Sequence, residues 1–99
     1  MSRGIARERA VRKRLEDEGW WVSRAAGSLG DADLVALRAD KNARLIEVKS
    51  TKRGPYHGFG PSDRFGLKTA AEIAGAEAWL AWWPPRGELK WIPEVEWPA

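Results

Sequence analysis

Asp33 stands at the start of one apolar run, and the triplet Glu47-Val48-Lys49 closes the next. Between them lie the apolar segment Leu34 to Leu37 and a polar turn, Asp40-Lys41-Asn42. Two strands joined by a hairpin would bring Asp33 and Glu47 side by side. Alternate side chains of a strand share a face, so Glu47 and Lys49 point the same way. Two carboxylates and one ammonium on a sheet surface make a divalent-metal site with a cationic helper. That set suits phosphodiester hydrolysis. A Mg²⁺ ion takes hard oxygen ligands in octahedral geometry and keeps several waters. Asp33, Glu47 and the main-chain carbonyl of Val48 are the candidate protein ligands. Such an ion would polarise the scissile phosphate and lower the pKa of a bound water. Lys49 would orient the attacking oxygen or offset charge in the transition state. A bare Glu-x-Lys triplet is also what an ordinary exposed hairpin carries. The upstream acid at hairpin spacing, with Glu8 in a preceding helix, favours the nuclease reading.

The elements that must position these groups follow from the residues around them. Residues 3–18 are rich in Ala, Arg, Glu and Leu, which are good helix formers, and Gly19 is a natural stop. Val11 and Leu15, spaced i, i+4, mark the inward face. Glu8 falls on the same stripe. There it would hold a second ion or an ion-bound water, or else form an ion pair with a neighbouring Arg. Trp20 to Arg24 reads as a first strand, Asp33 to Ala39 as a second and Ala43 to Ser50 as a third. The run Leu34-Val35-Ala36-Leu37 predicts a strand covered on both faces. In the third strand Ile46 and Val48 share one face, and Leu45, Glu47 and Lys49 the other. Residues 52–66, with four glycines and two prolines, predict a long mobile connection carrying Arg53, Tyr56, His57 and Arg64. His57, the only histidine, reads as a polar loop residue. Leu67 to Ala76 predicts a second helix with Ile73 inward, stopped near Gly75. Ala78 to Trp83 and Leu89 to Ile92 complete the strands. The expected fold is α/β, a mixed sheet flanked by helices in the order α-β-β-β-α-β-β.

Length and composition bound the rest. The chain has 99 residues, which predicts one domain over residues 1–99. A domain of this size buries only about 60–65% of its unfolded surface, so dimerisation would help, and seven Trp residues offer faces for it. Trp79 and Trp83 are expected on one face of the fourth strand and Trp82 on the other. Core or dimer interface is the favoured role for most of these indoles, over base stacking. There are no cysteines, which excludes disulfides and thiol chemistry. No apolar run approaches the ~20 residues that cross a bilayer, and no secretory leader is visible. The expectation is a cytoplasmic protein without a membrane partner, or one in the host cytoplasm if phage-encoded. The net charge is +3, with Arg3, Arg7, Arg9, Arg12, Lys13 and Arg14 clustered in the first helix and Lys49, Lys52 and Arg53 in a second group. Such clusters favour a polyanion such as nucleic acid, although the first also fits a solvated helix face.

The pattern Asp33…Glu47-Val48-Lys49 resembles the PD-(D/E)xK nuclease motif, with Ala32 where the leading Pro often stands. The closer resemblance is to the archaeal-type (Hjc-like) Holliday junction resolvases and their phage relatives. Four stretches carry it: Arg7-Glu8-Arg9, Val22 to Ser28, Asp33-Leu34-Val35, and Leu45 to Thr51. A weaker similarity runs from Gly75 to Ala81 and through Trp91-Ile92-Pro93. The resemblance implies a restriction-endonuclease-like fold and a homodimer that nicks four-way junction DNA at two symmetric positions with Mg²⁺, for which Mn²⁺ substitutes. It also implies that Glu8, Asp33, Glu47 and Lys49 form the catalytic set, joined by Ser28 from the loop Ala25 to Gly30. Arg9 and Arg24 match phosphate-contacting positions, and Lys52 and Arg53 are further candidates for DNA contact. The glycine-rich segment Gly54 to Asp63 departs from the pattern. Alternatives are another PD-(D/E)xK nuclease, nicking or restriction-like, an RNA-processing enzyme, or a junction-binding module without catalysis.

Overall fold

The computed structural model describes residues 3–25 and 32–99. The order is α1 (Arg3–Asp17), β1 (Trp21–Arg24), β2 (Leu34–Arg38), β3 (Lys41–Ser50), α2 (Pro61–Ala74), β4 (Glu77–Trp83), β5 (Lys90–Pro93) and a closing 3-10 turn, Glu94–Glu96. The strands form one sheet in sequential order, antiparallel except for the parallel pair β3–β4. That pair requires a crossover, and α2 supplies it. This is the mixed sheet with flanking helices that the sequence predicts, in the predicted order.

Each face of the sheet has its own core. On one face Val11 and Leu15 of α1 meet Trp20, Val22, Leu34, Ala36 and Ile46, with Val48, Trp79 and Trp83 packed against them. On the other, Leu67 and Ala71 of α2 meet Phe59, Ala78 and Leu80, with Leu45 and Trp82 alongside. Strand alternation therefore sends Ile46 and Val48 under α1, and Leu45, Glu47 and Lys49 to the side of α2. Trp79 and Trp83 lie on the α1 side and Trp82 on the α2 side, as expected.

Several expectations are corrected. The second helix starts at Pro61, so the connection before it ends at Gly60. Proline suits the first helical turn, where an N–H has no partner to lose, and Asp63 complements the positive helix end. Gly75 closes the helix at φ 65°, its N–H directed to the carbonyls of Ala71 and Glu72. Ile73 is not inward but 83% exposed. The buried stripe is Arg64, Leu67 and Ala71, spaced i, i+3, i+7, and it places Ile73 outside. Nor is β2 covered on both faces. The second helix packs mainly on β3 and β4, and Leu37 is 44% exposed opposite Trp21. The β2–β3 turn is Ala39-Asp40, where Arg38 binds Asp40 at 2.8 Å and a bulge between Ala36 and Arg38 takes up the register. Among the described residues no helix is long and apolar enough to cross a membrane.

Candidate active site

The hairpin places the acids together. Leu34 pairs with Ile46 and Val35 with Leu45, so Asp33, one residue before β2, falls opposite Glu47. Asp33 is fixed at the main chain on both sides. Its N–H donates to the Ile46 carbonyl at 2.9 Å, and its carbonyl accepts from the Ala25 N–H at 2.9 Å. Its carboxylate Oδ2 accepts from the Val48 N–H at 2.8 Å, which points the side chain along the Glu47-Val48-Lys49 segment.

Glu47 is the electrostatic centre of this group. Its side chain is only 17% exposed, and its pKa is pushed up to about 8. Burial is the largest cause, followed by the hydrogen bond to Asp33 and the negative charge of Asp33, with Lys49 opposing. A neutral Glu47 carboxyl shares its proton with Asp33. An ionised one leaves two carboxylates facing each other in a half-buried site. Lys49 Nζ lies 3.6 Å from Glu47 Oε2, close enough for charge attraction and too far for a hydrogen bond.

This donor set fits a divalent cation. The oxygens are hard, and the cost of ionising Glu47 beside Asp33 is the cost that a bound cation removes. Asp33, Glu47 and the Val48 carbonyl would hold it. Among the described residues no three Asp, Glu or His side chains converge, so the remaining positions would fall to waters and a phosphate oxygen.

Glu8 is held in an ion pair. It belongs to α1, over the Ile46–Val48 face, and its Oε1 accepts from Arg24 Nε at 2.9 Å. This is the ion-pair alternative that its position on the helix allowed. With Ile5, Arg9, Arg12, Arg24 and Leu34 it lines a cleft of about 200 Å³. Arg9 and Arg24 therefore sit together beside Glu8, while Lys52 and Arg53 are exposed just beyond β3. Ser28 lies outside the described residues. His57 is exposed in the connection after β3.

That connection is anchored by packing, and its main anchor, Phe59, was not singled out from the sequence. Phe59 is fully buried, stacked edge-on against Trp97 at 5.1 Å. Arg64 donates to the Phe59 carbonyl at 2.7 Å, with its guanidinium 5.3 Å from the Tyr56 ring. Gly58, at φ 78°, passes Lys49 so closely that a Cβ there would lie 3.8 Å from Nζ. A lone large apolar residue among glycines was the available signal for an anchor at Phe59.

Comparison with known proteins agrees in fold and family. A search of curated proteins finds no match. The 1.6 Å structure of Hjc, a Holliday junction resolvase from the archaeal hyperthermophile Archaeoglobus fulgidus, is similar with a TM-score of 0.83 and 31% identity, over 95% of this chain and 75% of that one. The profile of the archaeal Holliday junction resolvase (Hjc) family matches residues 1–96, and the chain belongs to that family.

Proposed function

We propose that this chain is a structure-selective endonuclease that resolves four-way DNA junctions by metal-dependent phosphodiester hydrolysis, with residues 1–99 as one nuclease domain acting in the cytoplasm. The observation that carries the reading is the Asp33–Glu47–Lys49 group, two facing carboxylates and an ammonium at the edge of a half-buried sheet surface. Mg²⁺ is the proposed cofactor, with Mn²⁺ able to replace it. When bound, the cation supplies Lewis-acid polarisation of the phosphate and a lowered pKa for water. Asp33, its carboxylate held by the Val48 N–H, fixes one ligand oxygen. Glu47 would supply the second, its proton passing to solvent. Lys49, freed from full engagement with Glu47, donates to a non-bridging phosphate oxygen and offsets the charge of the transition state. Glu8, paired with Arg24, and Ser28 are assigned supporting roles, and Arg9, Arg24, Lys52 and Arg53 contact backbone phosphates.

Productive resolution needs cuts on two strands of like polarity, which an isologous dimer presents at fixed spacing. The outer side of α2 supports such a dimer. Phe65 and Ile73, about two turns apart, are 70% and 83% exposed, and large apolar side chains left uncovered on so small a domain favour association. The deciding experiment is cleavage of a synthetic four-way junction with Mg²⁺, beside linear duplex, single strand and a three-way flap, with the mass of the protein measured in the same buffer. Paired symmetric nicks in the junction alone, from a dimer, are expected. Equal cleavage of all substrates would replace the resolvase reading with a general nuclease. Tight junction binding without a cut would remove the catalytic roles of Asp33, Glu47 and Lys49.

A further inference from the structure

Two indole–guanidinium assemblies stand on the α1 side of the sheet, and they differ in charge balance. At one end Arg44 lies between Trp20 and Trp79, its guanidinium carbon 4.6 and 4.5 Å from the two rings. Glu77 closes that assembly. Its carboxylate stands 4.0 Å from Arg44 and accepts from Asn42 at 3.2 Å and from the Trp79 indole N–H at 2.9 Å. These two donors hold the Glu77 carboxyl below its ordinary pKa, so the assembly carries its own anion.

At the other end Arg7 and Arg14, two turns apart on α1, both lie over Trp83, at 4.8 and 5.6 Å. Here the residues around the cations are different. A cleft of about 230 Å³ opens beside the ring, lined by Arg7, Ser50, Thr51, Lys52, Trp83 and the proline pair that follows. No carboxylate is among its lining residues. The Trp83 indole N–H is buried and has no hydrogen-bond partner among the described residues. Two guanidinium groups on one ring repel each other, and Lys52 adds a third positive charge at the rim. The cleft thus gathers cations and has no carboxylate to balance them. Stacking on an indole holds a guanidinium by its face and leaves its N–H edge for a planar or tetrahedral oxyanion.

The cleft is also well placed. Ser50 follows Lys49 directly in β3, on the opposite face of the strand. The cleft thus opens at the end of β3, one residue beyond Lys49, where Ser50, Thr51 and Lys52 line it. We propose that the Arg7–Ser50–Lys52–Trp83 cleft binds a backbone phosphate of the junction, on the far side of the sheet from the cleavage site. The inference rests on the nuclease reading and extends it. It assigns Arg7 and the Trp83 platform a role in DNA binding, and it makes the anion that Glu77 supplies at one end a ligand at the other.

The test measures junction affinity against salt with the full chain, in Ca²⁺ to hold the DNA uncut. Each phosphate contact contributes about 0.9 to the slope of log K against log salt. Arg7→Gln is expected to weaken binding about threefold or more at low salt and to lower the slope by about one. Ser50→Glu, at an exposed position, sets a carboxylate in the cleft without disturbing the stack, and should do the same with an unchanged Tm. It keeps the test decisive if Arg7→Gln unfolds. Lys13→Gln, on the exposed side of α1 and paired with Asp17 at 3.4 Å, controls for general loss of positive charge. If the unsubstituted protein binds the junction and Ser50→Glu matches it in affinity and slope, the cleft proposal fails and the nuclease reading stands. If Lys13→Gln lowers the slope as much as Arg7→Gln, binding is diffuse and the proposal again fails. If the unsubstituted protein binds no junction, both readings fall.

Discussion

The two faces of β3 set the same backbone to opposite uses. Ile46, wholly buried, and Val48 turn toward α1 and close a dry core with Val11, Leu15 and Leu34. Glu47 and Lys49 alternate with them and turn toward the other side, where they are 17% and 28% exposed. Neighbouring positions thus differ in what burial does. For Ile46, removal from water is the source of stability. For Glu47, the same removal lifts the carboxyl pKa to about 8 and makes the ionised form costly. The difference teaches that the packed face is what holds the unfavourable one in shape. The charged site is an expense carried by the apolar face behind it, and the two should respond to substitution in separable ways.

The strongest test of that separation is at the acids. Glu47→Gln or Asp33→Asn is expected to lower junction cleavage by about a thousandfold or more, equivalent to about 4 kcal/mol of lost transition-state stabilisation. Junction binding should persist within about threefold, because phosphate contacts carry affinity. Metal-free Glu47→Gln should also be at least as stable as the parent at neutral pH, since it removes a buried acid without leaving a cavity. A variant that keeps cleavage would overturn the site, and one that loses its fold would overturn the separation.

The converse substitution, Ile46→Ala, should act on stability first. Truncating a fully buried aliphatic costs about 2–5 kcal/mol through lost transfer energy and the cavity left behind. Urea denaturation should show this loss, while folded protein at low temperature retains cleavage within about tenfold. A thousandfold loss of cleavage with little change in stability would mean that the packed face reaches into the chemistry directly.

This division was legible in the sequence where alternation is strict, and lost where it is not. The two-residue period of β3 by itself separates Ile46 and Val48 from Glu47 and Lys49, and hairpin spacing brings Asp33 opposite. The helix α1 was equally clear, since Val11 and Leu15 mark its inner face. The second helix was misread for a physical reason. Its buried stripe includes an arginine, whose guanidinium is satisfied by the Phe59 carbonyl and the Tyr56 ring, and an alanine. Ile73, the more apolar residue, therefore drew the inward assignment. Pro61 and Gly66 made the helix start look like loop, although proline belongs in a first turn. The placement of Glu8 depends on which partner its carboxylate finds, and helix periodicity leaves Arg24 and the Asp33–Glu47 site equally open. The covering of β2 was overread because an apolar run does not say whether a helix lies over both faces.

A smaller effect, and one that sharpens the electrostatic half of the comparison, is the pH dependence of stability. Glu47 has an ordinary pKa of 4.5 when unfolded and about 8 when folded. Between those values the folded protein holds a proton that the unfolded chain has lost, so stability falls as pH rises from about 4.5 to about 8 and then levels. Because the proton is shared with Asp33, a loss on the order of 2 kcal/mol is expected across the window. Thermal melts of metal-free protein should show Tm falling between pH 5 and pH 8.5, and Glu47→Gln should flatten the profile. Added Mg²⁺ should raise Tm most at the alkaline end, because the ligand must be ionised to bind. A metal-free profile that rises through this range would remove Glu47 as a buried acid.

The finest distinction lies in the connection that passes over Lys49. Gly54 and Gly58 both hold positive φ, at 98° and 78°, so alanine at either should cost about 1 kcal/mol of backbone strain. They differ in what a methyl group would meet. At Gly54 nothing lies within 4 Å, whereas at Gly58 the new Cβ would touch Lys49 Nζ at 3.8 Å. That distance is an ordinary contact, so it adds no steric penalty. It does set an apolar group against the ammonium and exclude solvent or a phosphate oxygen from one side of it. Equal losses of stability are therefore expected from the two variants, with a fall in cleavage of about three- to tenfold confined to Gly58→Ala. Equal loss of cleavage in both would trace the effect to loop strain, since the Phe59 anchor is shared. An effect at Gly58 alone would place the ammonium, rather than the loop, at the centre of the charged face.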